Sequence, residues 1–165
     1  MTRNTFSLHA CEFTPMPSSL NPSLNPARKW IVLGAVFAAL AVAAGAFGAH
    51  ALEAAMENAE AGPKRLAAWK TAAQYQFVSA LGLIALGLMP TTKTKSQFVS
   101  GVCMVVGILI FSGVLYVYSL IYIKILGAIV PIGGVSMLVA WICFAVSATG
   151  ATIATPALTQ DKRAQ

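Results

Sequence analysis

Residues 30–52 read WIVLGAVFAALAVAAGAFGAHAL and contain no Asp, Glu, Lys or Arg; the first such residue after them is Glu53. A helix of about 20 apolar residues, rising 1.5 Å per residue, crosses a hydrocarbon core of about 30 Å. The competing reading is a secretory leader, with Arg28 and Lys29 as its basic front and Ala49-His50-Ala51 as a small-x-small cleavage site. Leader cores are about 7–15 residues long, so this longer stretch reads as a membrane span.

The same reading extends along the chain. Residues 53–70 are the most polar internal segment, holding Glu53, Glu57, Glu60, Lys64, Arg65 and Lys70. Gly62-Pro63 is expected to divide it into two short amphipathic pieces at the interface. Further apolar runs at 72–89, 98–123 and 125–148 complete a set of four spans. Pro90 ends the second, and Lys93 and Lys95 lie in the loop that follows. Lys124 marks a tight turn between the third and fourth and is expected to snorkel to the headgroups. Pro131 falls early in the fourth, in a first turn or at a kink. Trp69 and Tyr75 are expected in an interfacial aromatic belt. The reading is all-α, an integral membrane four-helix bundle over 28–150, with a disordered tail at 1–27 and a polar C-terminal tail at 151–165. Met16, inside the first tail, offers an alternative start.

Composition agrees. The 165 residues are 58% hydrophobic and only 10% charged, with a mean hydropathy of +0.75. A soluble domain is about a quarter charged, and one of this size has too much surface to hide so many apolar side chains. The net charge of +6 does not indicate nucleic acid, because the basic residues are spread thinly between apolar runs. They set topology instead. Arg3, Arg28, Lys29, Lys93, Lys95, Lys162 and Arg163 fall on one side, and Lys64, Arg65, Lys70 and Lys124 on the other. The positive-inside rule then places both termini in the cytoplasm. Cys11, Cys103 and Cys143 form no CxxC pair or metal-type spacing and read as small apolar filler.

Helices in lipid associate through close backbone approach and interhelical hydrogen bonds. Small residues suited to this are Ala41, Gly45 and Ala49 on one line of the first span and Ala44 and Gly48 beside it. Ser79 and Gly82 follow in the second, Gly107, Ser112 and Gly113 in the third, and Pro131, Gly133, Gly134, Ser136 and Ala140 in the fourth. They are expected to close the bundle on itself; an exposed small-residue face would instead bind a second copy or a membrane-protein partner.

The spans carry almost no ionisable side chains, which argues against an ion-coupled transporter. His50 stands at the end of the first, with Glu53 and Glu57 on the same helical face if the helix continues. A polar cluster of His50, Tyr75, Gln76, Ser79, Ser112 and Tyr116 is the candidate site. No catalytic triad, phosphate loop or HExxH is present, and the sequence points to no metal or cofactor.

Several strings occur together in order: GAFGAHAL (45–52), AAQYQF (72–77), FSGVLY (111–116) and PIGG (131–134) followed by Trp141. In this combination the chain resembles the YgdD/YwdK-like family of small bacterial membrane proteins, which carries a domain of unknown function. The resemblance covers about 30–148 and implies a four-helix inner-membrane protein without an assigned reaction. Val114 stands where the family's usual FSGSLY has a second serine, and Ser79 stands where the family tends to have a histidine. If the family uses a pair of membrane-facing histidines, this chain has kept only His50. The reading is therefore a non-enzymatic structural or partner-binding bundle in the lipid bilayer. The alternatives are a channel or facilitator for a small neutral solute, and a membrane-surface metal or pH sensor centred on His50.

Overall fold

The computed structural model describes residues 26–89 and 95–149. The terminal tails (apart from Pro26 and Ala27), the alternative start Met16, and residues 90–94 of the second loop lie outside these. Helix α1 runs Pro26–Phe47 and continues through a π turn, Gly48–Leu52, into a last α turn, Glu53–Met56. Helix α2 is Gly62–Leu88. Helix α3 runs Lys95–Gly107, through a second π turn at Ile108–Ser112, and on to Ile121. A 3-10 turn, Lys124–Ala128, leads into α4, Val130–Thr149. The described residues contain no strand. The four units are 26 to 29 residues long and apolar enough to cross a bilayer, and 26 residues of α-helix reach about 39 Å.

The segment 53–70 differs from its expected form. It does not lie flat as two amphipathic pieces: Glu53–Met56 extends α1, and α2 already begins at Gly62. Proline is tolerated in a first helical turn because its missing N–H has no intrahelical partner there, so Pro63 starts α2 instead of breaking a helix. Ala61 adopts the left-handed conformation (φ 53°) to make the turn. Gly62 follows it against the Met56 carbonyl, where a Cβ would have no room. Pro131 acts in the same way at the start of α4. It is exposed, so it opens the helix without serving the packing role expected of it.

Neighbours in sequence are neighbours in space. Helix α1 packs along α2, α2 along α3, and α3 along α4. Between α1 and α3, and between α2 and α4, the contacts are made by side chains: Trp30 and Phe37 of α1 reach the core shared with α3, and Trp141 of α4 reaches Gly82 of α2. The section is a rhombus with α2 and α3 on its short diagonal. Accordingly α2 and α3 are the more buried pair, while α1 and α4 show most of their surface to the surroundings. Exposed Val32, Val36, Leu40, Ile132, Leu138 and Ile142 are normal where the solvent is lipid.

Small residues set the close approaches, though not all those expected. Gly34, Ala41 and Gly48 recur every seven positions on the inner face of α1 and are buried. Gly45, exposed with nothing within 4 Å of a Cβ built on it, lies off this line. Gly113 likewise meets nothing within 4 Å. Gly133 sits directly on the Phe111 backbone, and Gly134 is at ordinary distance, 3.8 Å, from the Phe111 ring.

Hydroxyls join α3 to α4 along their length. Ser96 and Ser100 of α3 donate to the carbonyls of Cys143 and Ala140 at 2.8 Å each, and Ser136 of α4 donates back to Cys103 at 2.9 Å. Interhelical bonds of this kind contribute about 0.6 kcal/mol each on average.

Candidate functional site

The densest polar structure inside the bundle surrounds the first half of α2, where both π turns converge. Trp69 is buried at 8% exposure. Its ring covers Gly48, leaving a Cβ there only 2.5 Å from the ring. Its indole Nε1 donates to the Ala44 carbonyl at 2.7 Å. On its other side the ring packs on Tyr116, with centroids 4.5 Å apart. Trp69 therefore does not sit in an interfacial belt as expected. The early start of α2 puts it two turns into the helix, at the junction of α1, α2 and α3.

Two turns further along α2, Gln76 repeats the linkage. Its Nε2 donates to the Phe37 carbonyl of α1 at 3.0 Å, and its Oε1 accepts from the Tyr116 hydroxyl of α3, also at 3.0 Å. Between them, Ser112 donates to the Ala72 carbonyl at 2.9 Å. One amide thus bridges three helices, with both of its ends satisfied.

The π turn in α3 sets this register. The inward positions Gln97, Met104, Ser112 and Ser119 are buried and spaced by seven, eight and seven. A π turn adds one residue to the helical count, and the eight-residue step spans it. The π turn in α1 does the same: Gly48 and Met56 face inward eight apart, while Ala55 is exposed.

At the α2 entrance Arg65 ties the end of α3. Its Nε donates to the Ser119 carbonyl at 2.8 Å and its Nη2 to the Leu120 carbonyl at 2.6 Å. Ser119 donates back to the Arg65 carbonyl at 2.7 Å. The guanidinium also lies 5.7 Å from the Tyr122 ring centroid, and Tyr122 closes the helix in the left-handed region. The last carbonyls of a helix are unpaired within it, and a cation there also complements the helix dipole.

Of the expected cluster, the fold joins Gln76 and Tyr116 directly and places Ser112 beside them on Ala72. Tyr75 faces outward at 48% exposure, edge-on to Phe111. It lines a separate hollow with Ser79. His50 is exposed and opens with Glu53 and Glu57 on a surface groove at the end of α1. The six residues do not line one path. Among the described residues no group of three or more His, Cys, Asp or Glu side chains is arranged to hold a metal. From the sequence, Arg65, Gln97, Ser100 and Ser119 have no expected site role, and Trp69 is expected in the interfacial belt. The available signal was their polarity at inward positions of otherwise apolar helices.

The family described as "Protein of unknown function (DUF423)" matches residues 44–134, a stretch that holds Trp69, Gln76 and Tyr116 but not Phe37. Similar proteins include the UPF0382 membrane protein YwdK of Bacillus subtilis, 42% identical over 73% of this chain and 96% of its own. A UPF0382 membrane protein of Staphylococcus saprophyticus is 42% identical over 70% of this chain and 92% of its own. One from Staphylococcus epidermidis is 39% identical over 73% and 94%. No solved structure matches the chain. The chain belongs to this YwdK-like DUF423 family of membrane proteins of unknown function.

Proposed function

We propose that the protein is a non-enzymatic helix bundle of the bacterial cytoplasmic membrane, with both termini in the cytoplasm, that binds another membrane helix. One observation carries this reading. The buried polar side chains are committed to holding the helices together, and no buried side-chain nitrogen or oxygen among the described residues lacks a partner. Gln76, Ser100, Ser112 and Ser119 each donate to a carbonyl of a neighbouring helix. Such a bundle presents a fixed outer shape. On α1 that shape includes exposed Ala35, Ala39, Ala43 and Ala46, side chains small enough for a second helix to come close.

A photo-crosslinking residue at Ala43, introduced in native membranes, tests this. The expected result is one discrete protein adduct whose mass identifies a second copy or another membrane protein. Adducts to lipid alone would sink the reading, and so would solute flux from proteoliposomes above that of empty vesicles. The orientation is tested by a C-terminal reporter that is active only outside the cytoplasm and is expected to stay silent.

A further inference from the structure

The rhombic section leaves two seams, one between α1 and α3 and one between α2 and α4. The first is filled: Trp30 lies on Gly101 and packs against Phe98. The second is open and holds two hollows. The one at the α2 entrance, about 420 Å³, has Lys64 and Lys124 at its rim and Ala68, Leu115 and Val130 within it. The next, about 310 Å³, lies one helical turn further along α3 and α4, from Leu115 to Phe111 and from Val130 to Gly134. It is walled by Tyr75, Val78 and Trp141.

We infer that this seam binds one anionic glycerophospholipid, its phosphate between Lys64 and Lys124 and one acyl chain along the two hollows. Charge and shape both support this occupant. No carboxylate lines the upper hollow. The ion pair found among the described residues joins Lys70 to Glu53 and leaves Lys64 and Lys124 without an acidic partner. Arg65 is held by the α3 carbonyls, so two lysines remain to meet the headgroup. Below them the lining turns apolar. From Lys64 to Ser79 the seam runs about 22 Å at 1.5 Å per residue, more than the ~15 Å depth of one leaflet's hydrocarbon. A lipid whose headgroup lies at the lysines would have its chain at the level of both hollows.

Native mass spectrometry of the purified full chain tests this, using phosphatidylglycerol and phosphatidylcholine with identical acyl chains. A lysine at an anionic lipid surface contributes about fivefold, so with two of them the wild-type protein is expected to retain phosphatidylglycerol about 25-fold over phosphatidylcholine. Lys64→Gln with Lys124→Gln should abolish that preference, and Lys70→Gln should leave it intact. Inorganic phosphate at millimolar concentration should not displace the lipid. Val78→Trp, at a half-exposed wall position, should keep the melting temperature of the wild type and reduce retention of both lipids. The inference is overturned by equal retention in the wild type, by a preference that survives loss of both lysines, by displacement with phosphate alone, or by a plugged seam that binds as well as before.

Discussion

Trp69 and Ala44 are joined by a 2.7 Å hydrogen bond from the indole Nε1 to the backbone carbonyl, and the ring that makes it also covers Gly48. The bond and the missing Cβ depend on each other, because the same Cδ1–Nε1 edge that faces the carbonyl lies 2.5 and 2.7 Å from where a Gly48 Cβ would stand. Gly48→Ala should therefore lower stability in detergent by about 1–3 kcal/mol, the usual range for overpacking. Gly45→Ala, three residues away with nothing near its Cβ, should be neutral or stabilising by up to about 1 kcal/mol, the helix preference of alanine over glycine. Thermal unfolding of the two variants checks the contrast. Equal effects would mean that the indole does not lie on Gly48.

Gly133 and Gly134 make the same comparison in α4. A Cβ at Gly133 would meet the Phe111 backbone, which cannot move aside as a side chain can; at Gly134 it would meet the Phe111 ring at 3.8 Å. Gly133→Ala is expected to separate α3 from α4, with loss of yield or a melting point clearly below wild type. Gly134→Ala should match wild type or exceed it.

The Gln76–Tyr116 bond is suited to a double-mutant cycle. Tyr116→Phe removes one donor and leaves Gln76 Oε1 unpaired; Gln76→Leu removes the amide and leaves the Tyr116 hydroxyl unpaired, while the Phe37 carbonyl, inside α1, keeps its helical N–H. Coupling within such a network should be about 0.5–1.5 kcal/mol. Strictly additive losses in unfolding free energy would show that the two residues do not interact.

Much of the fold was legible because lipid imposes a simple rule: about 20 apolar residues per crossing. Residues 30–52 state that rule by their length, which exceeds that of a leader core. The site was less legible. Gln76 and Tyr116 were found as polar residues in apolar runs, yet His50 was grouped with them although it lies at the exposed end of α1. Its side of the helix depends on the π turn at Gly48–Leu52, and no residue type marks such a turn. Trp69 was misplaced for a different reason. An aromatic residue near charged neighbours reads as interfacial until the start of its helix is known, and that start lies at Gly62-Pro63, well before the apolar run that begins at 72.

Arg65 should not tolerate a conservative change. Its two N–H groups reach two successive carbonyls, Ser119 and Leu120, a task for a planar fork that a lysine ammonium cannot copy. Arg65→Lys is expected to keep the charge and still destabilise the α2–α3 junction, by about 1.5–3 kcal/mol, from the loss of a charge-assisted bond. Faster hydrogen exchange at residues 119–122, without change at 97–104, would identify the loss as local. If lysine restored full protection, charge alone would be sufficient there.

The π turn of α3 makes the strongest demand on the sequence, because it concerns residue count and not residue identity. Ser112, Tyr116 and Ser119 face α2 only because Met104 and Ser112 are eight residues apart across the turn. Deleting exposed Leu109 removes the added residue and favours a regular α-helix, in which each residue turns by about 100°. The half of α3 beyond the deletion would then rotate away from Ala72, Gln76 and Arg65, breaking the bonds made by Ser112, Tyr116, Ser119 and the Arg65 fork together. The deletion should cost far more than Leu109→Ala, which removes the same side chain while keeping the count and should be close to neutral at a lipid-facing position. Purified yield and melting temperature of the two variants separate the explanations. A deletion variant as stable as Leu109→Ala would show that α3 can slide to recover its contacts, and that the π turn is not what brings these side chains to α2.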